Sequence, residues 1–107
     1  MTIQETSLTV ETQTGSTHLF AIGEASEMSG MHPEMIDEFL RAHLLHAAAF
    51  DEECPLFDVS AIYRMRQIEN LRVQQHANLR TIRLVVELMD RLETAEDELR
   101  RLRNRML

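Results

Sequence analysis

The chain has 107 residues, with 11 basic and 18 acidic side chains and a formal charge of −7. That length supports one domain and excludes a multidomain enzyme. Three Gly and two Pro are too few for a turn-rich β-sandwich or barrel, and a single Cys excludes a disulfide scaffold. No apolar run approaches the roughly 20 residues that span a bilayer, and the first residues lack the basic and apolar blocks of a signal peptide. With the lone Cys54, this reads as a cytoplasmic protein with a reduced thiol.

Charge is unevenly distributed. Residues 1–62 hold 11 acids and one base, Arg41, for a net of −10, whereas residues 63–107 hold 7 acids and 10 Arg, for a net of +3. Such polarity implies that the two halves meet different partners.

Residues 1–18 form a Thr-rich polar extension, read either as a short edge strand through Leu8 and Val10 or as a disordered tail. In residues 19–30, LFAIGEASEMSG, the segment Glu24–Met28 permits a helix and Gly30 ends it. Pro33 suits the first position of the next helix, with His32 a poor cap before it and Met31 and Ile36 placed to staple the start. Ile36, Phe39, Leu40 and Leu44 mark its apolar face. Glu34, Asp37, Glu38 and Arg41, at i, i+3, i+4 and i+7, mark an acidic outer stripe.

Residues 45–57, LHAAAFDEECPLF, break the helical pattern at Pro55, and Phe50 and Phe57 are placed to anchor a small hairpin, or wing. Asp58 is a good helix cap, with Phe57 and Ile62 spaced for a second staple. Ile62, Met65, Ile68 and Leu71 carry that helix to about Gln75. Asn78 caps a last helix of about 29 residues, or ~43 Å at 1.5 Å per residue. Along it Val85, Leu88, Leu92, Ala95, Leu99, Leu102 and Met106 recur at 3-4 spacing, an a/d seam over three heptads. Leaving this seam bare would cost roughly 25 cal/mol per Å² of apolar surface, so the helix is expected to pair in a homodimer. The alternative is a helix folded back on its own domain. Glu87–Arg91, Glu96–Arg100 and Asp97–Arg101 are spaced as surface ion pairs.

The reading is therefore mostly α. A helix-turn-helix core with a wing occupies residues 19–77, and a dimerisation helix occupies residues 78–107. Small Ser26 before the Gly30 turn and Ile36 after it are the residues that let the first two helices approach.

Three segments in order carry a family resemblance: FAIGEASEMSGMHPEMIDEFL, FDVSAIYRMRQIENLR and NLRTIRLVVELMDRLETAEDELRRLR. Together they resemble CbpM-type chaperone modulatory proteins, within the MerR-like winged helix-turn-helix family. The extension 1–18 and the length of the wing depart from the family's usual form. The resemblance implies a winged helix-turn-helix followed by a coiled-coil helix. It also implies a non-enzymatic protein that binds and inhibits a J-domain co-chaperone, covering the basic helix through which a J-domain engages its chaperone. The alternative within the same resemblance is a transcriptional regulator binding DNA as a homodimer.

Charge decides between these two. A helix that reads DNA needs Arg, Lys, Asn or Gln toward the groove, and here the second helix offers Glu34, Asp37 and Glu38, with Arg41 closing the stripe. Each acid near a phosphate costs on the order of 1 kcal/mol at exposed range, and counterion release is forfeited. The same stripe suits a basic protein surface, with Leu44, Leu45 and Phe50 as candidate apolar anchors. Arg64, Arg66, Arg72, Arg80 and Arg83 keep phosphate contact open as the weaker reading.

His43 and His46 are spaced to share a helix face and, with Cys54 folded back, would give three zinc ligands, but the set lacks the CxxC…CxxC pattern of a zinc site. No nucleophile elbow or phosphate-cradling Gly loop occurs, and Asp51, Glu52 and Glu53 read as a solvated loop. No cofactor, metal, small-molecule substrate or membrane partner is expected.

Overall fold

A computed structural model describes residues 18–106. The chain is mostly helical, and it divides in sequence into two compact units, one ending at Glu69 and the other beginning at Asn70. The expected strand or disorder of the polar extension lies outside the described residues, apart from His18.

The first unit opens with a two-residue strand, β1 (Phe20–Ala21), that runs directly into helix α1 (Ile22–Ser29). At the start of α1 the Ala21 N–H donates to Glu24 Oε1 at 3.0 Å, so an acid in the first turn satisfies a backbone donor. At its end Gly30 takes φ 84°, and its N–H donates to the Ser26 carbonyl at 2.9 Å. Buried Ser29 accepts the Met31 N–H through Oγ at 3.1 Å, which leaves its hydroxyl satisfied in the core. The small residue that lets helices close on α1 is Ala25, which is fully buried. Ser26 is only half-buried and contributes its carbonyl instead, which corrects the sequence expectation.

Helix α2 (Pro33–Arg41) starts as expected with Pro at its first position. His32 is a working cap, because its Nδ1 accepts the Glu34 N–H at 3.1 Å. Met31 and Ile36, the two staple positions, are both fully buried. The helix stops before Leu44. His43 takes φ 64°, the His43 N–H donates to the Leu40 carbonyl at 3.1 Å, and the Leu44 N–H donates to the Phe39 carbonyl at 2.9 Å. This is a Schellman end with His where Gly is usual, closed by buried Phe39 and Leu44. Left-handed backbone costs a non-Gly residue about 1–2 kcal/mol, partly offset in glycine by its greater unfolded entropy. His43→Gly should therefore stabilise the protein by about 0.5–1 kcal/mol, read as a rise of a few degrees in Tm at fixed protein concentration.

The hairpin β2 (Ala49–Asp51) and β3 (Cys54–Phe57) forms where the sequence placed a wing. Its two-residue turn puts both Glu52 (φ 51°) and Glu53 (φ 72°) in left-handed backbone, the geometry that matches the twist of flanking strands. β3 lies in the middle of an antiparallel sheet of order β1-β3-β2. Directly paired residues share a face, so Phe20, Phe57, Pro55 and Phe50 line one side, and Ala21, Leu56, Ala49, Cys54 and Asp51 the other.

Helix α3 (Val59–Glu69) begins at Asp58, whose Oδ1 accepts the Ala61 N–H at 3.0 Å and the Ser60 hydroxyl at 2.8 Å. Ala61, Ile62, Met65 and Ile68 are buried along it, and α1 packs against α2, α3 and β3. Arg66 Nε donates to the Met28 carbonyl at 2.9 Å, tying α3 to the last turn of α1 and placing a cation at that helix C-terminus.

The second unit starts with a π-helical turn, Asn70–Gln74, where the Gln75 N–H donates to the Asn70 carbonyl at 3.3 Å. His76 (φ 54°) ends it, and the Ala77 N–H donates to the Leu71 carbonyl at 2.9 Å. Asn78 then caps helix α4 (Leu79–Met106), its Oδ1 accepting the Thr81 N–H at 2.9 Å. Ile82 and Val86 are buried on α4, and from Asp90 onward almost every residue is exposed. Arg100 pairs with Asp97 at i,i+3, rather than with Glu96 at i,i+4.

Candidate functional site

The outer face of α2 carries the candidate site. The helical period that buries Ile36 and Phe39 turns Glu34, Asp37, Glu38 and Arg41 away from the core. Glu34, Glu38 and Arg41 are exposed and Asp37 is half-buried. Arg41 forms an ion pair with Asp37 at 3.1 Å, one turn apart. Among the described residues, the Glu34 and Glu38 carboxylates have no ion pair, so the stripe keeps a net charge of −2 with two carboxylates open to a ligand. The pair itself is exposed on both sides and adds little to stability. Its effect is to hold Asp37 and Arg41 in one geometry on the surface.

The apolar anchors proposed beside the stripe separate sharply. Leu44 and Leu45 are buried, because the Schellman end folds them inward, and neither is available to a partner. Phe50 is 64% exposed. The strand period identifies it: Phe50, Pro55 and Phe57 share one face, and a hairpin of three and four residues leaves its far end uncovered.

The seam on α4 is bare within one chain. Leu88, Leu92, Leu99, Leu102 and Met106 are large exposed apolar residues, Ala95 is exposed and Val85 is half-buried. At 100° per residue these exposed side chains, with Leu84, fall in one stripe, well apart from the face of buried Ile82 and Val86.

Arg66 donates through Nε to the Met28 carbonyl and is exposed, as are Arg80 and Arg83 on α4. His43 and His46 do not share a helix face, because α2 ends at Arg41. Among the described residues no three His, Cys, Asp or Glu side chains converge to hold a metal, and Cys54 is a free, exposed thiol. Among the same residues, no helix is long and apolar enough to cross a membrane.

No curated protein matches the chain. The sequence model described as MerR HTH family regulatory protein matches residues 20–104, which takes in the helix pair around Gly30, the hairpin, α3 and nearly all of α4. With that span covered, the chain belongs to the MerR HTH family of regulatory proteins.

Proposed function

We propose that this protein is a non-enzymatic, cytoplasmic chaperone modulator of the CbpM type. In this reading it uses a winged helix-turn-helix to bind and inhibit a J-domain co-chaperone, and it acts as a homodimer joined along α4 in a coiled coil. The observation that carries the proposal is the outer face of α2: Glu34 and Glu38 are exposed and, among the described residues, have no ion pair, beside the Asp37–Arg41 pair. In the family's helix-turn-helix arrangement this is the helix that would enter a DNA groove. Here its net charge of −2 repels phosphate and forfeits counterion release. A basic helix reverses the sign of that interaction and gains fast, salt-sensitive encounter.

Glu34, Asp37, Glu38 and Arg41 form the partner-binding patch, Arg41 fixing Asp37 rather than facing the ligand. Val85, Leu88, Leu92, Ala95, Leu99, Leu102 and Met106 form the dimer interface, in keeping with the exposure of all but half-buried Val85 along one side of α4. A DNA-binding regulator is the second reading, favoured by membership of a regulatory helix-turn-helix family and by exposed Arg80 and Arg83.

The test is co-elution and titration with a J-domain, using wild-type protein and Asp37→Lys combined with Glu38→Lys. The double reversal takes the stripe from −2 to +2. It should weaken binding by about 10- to 100-fold at low salt, chiefly through the association rate. Unchanged affinity would remove the acidic face from the mechanism.

A further inference from the structure

We infer that the hairpin is a second contact for the same partner. Phe50 would be its apolar anchor, and the carboxylates of the Glu52–Glu53 turn would receive flanking cations, so that the ligand is a basic amphipathic helix gripped at two places. This rests on the reading of α2 above and extends it to a site the α2 stripe does not include.

The argument begins with the sheet face. Phe57 is fully buried, Pro55 and Phe20 are half-buried, and Phe50, on the same face, is 64% exposed. Exposure therefore rises along one face toward the hairpin tip, and the last position is an aromatic ring. A single exposed apolar residue is ordinary. This one ends an inner face that is otherwise covered, so its ring continues the apolar surface of the core outward. A short strand at a sheet edge is normally blunted by polar or charged side chains, and Phe50 on β2 is not.

Charge complementarity names the occupant. Asp51 follows Phe50 directly, Glu52 and Glu53 make the turn, and all three are exposed. No Lys or Arg lies between Arg41 and Arg64. A hairpin that carries an exposed aromatic ring, an acidic turn and no Lys or Arg favours an apolar side chain flanked by Lys or Arg, and it disfavours phosphate or a second acidic surface. A second copy presenting this hairpin would bring carboxylates against carboxylates.

Reach is sufficient. Eight residue steps separate Arg41 from Ala49, so the α2 stripe and β2 lie at most about 29 Å apart. A helix of about 20 residues is ~30 Å long. Separation therefore does not prevent one partner helix from touching both places.

The experiment titrates an isolated J-domain against full-length protein and three variants: Phe50→Ser, Phe50→Leu, and Glu52→Gln combined with Glu53→Gln. Phe50→Ser should weaken binding at least about tenfold, the size of a central anchor. Phe50→Leu should restore most of the loss, and the Gln pair should weaken binding at low salt and much less at high salt. Because Phe50 is exposed, Tm should be nearly the same in all four proteins. Wild-type affinity in Phe50→Ser overturns this inference and leaves the α2 reading standing. A fall in self-association with unchanged J-domain affinity assigns the ring to a second copy and also overturns it. Failure of the wild type to bind any J-domain defeats the underlying reading itself.

Discussion

Replacing both Leu92 and Leu99 by Glu should convert the protein to a monomer with α4 still helical. Both side chains are exposed within one chain, at 60% and 59%, so charge there strains nothing in the isolated protomer. In a twofold coiled coil the two substitutions remove four leucines from the seam. Each is worth about 1.5–3 kcal/mol when buried, so the loss is roughly 6–12 kcal/mol. An association of micromolar to nanomolar strength is only about 8–12 kcal/mol in total, so little self-association should survive. Sedimentation velocity at tens of micromolar would show the change in mass, and circular dichroism would show retained helix. A wild-type protein that sediments as a monomer at that concentration would contradict the dimer. So would a double variant that stays dimeric.

Phe57→Ala should be the most damaging single change in the first unit, costing about 3–5 kcal/mol. Phe57 is fully buried, sits on the central strand opposite Phe20, and occupies the staple position before the Asp58 cap with buried Ile62 four residues into α3. Its ring thus joins the sheet to the start of a core helix, and neither neighbour can collapse into the void without leaving its strand or cap. A domain of this size has only about 5–15 kcal/mol of stability, so the variant should be partly unfolded at physiological temperature. Urea denaturation at fixed protein concentration measures the loss. Phe57→Leu, which keeps most of the volume, should cost far less. Equal midpoints for Phe57→Ala and wild type would show that the sheet is not a structural centre.

Much of this architecture was legible because its boundaries are written in local chemistry. Gly30, Pro33, Asp58 and Asn78 each end or start a helix through one hydrogen bond or one dihedral preference, and each does so where the residues indicated. The outward stripe on α2 was legible for a similar reason. Acids at i, i+3, i+4 and i+7 opposite an apolar face have only one direction to point. What escaped depended on residues distant in sequence. β1 is two residues long and exists because β3 pairs with it. Leu44 and Leu45 looked like surface anchors until His43 took a left-handed conformation and turned the chain inward, a role that sequence assigns to Gly. Ala25 and Ser26 are adjacent and both small, and only packing decides which faces the neighbouring helices. The π-helical turn likewise replaces the last part of a helix whose apolar spacing ran unbroken to about Gln75.

The stability of the first unit and the function proposed for it fall on different faces of the same helix. Ile36 and Phe39 hold α2 in place, and this leaves Glu34 and Glu38 exposed to water. A regulator that reads DNA would present cations on that outer side.

The most direct measurement is a paired titration of wild-type protein against a J-domain and against mixed-sequence duplex DNA, each at low and at moderate salt. The expected result is a J-domain complex that weakens with salt and no measurable DNA complex at either concentration. Tight DNA binding that falls steeply with salt, with no J-domain signal, would contradict it.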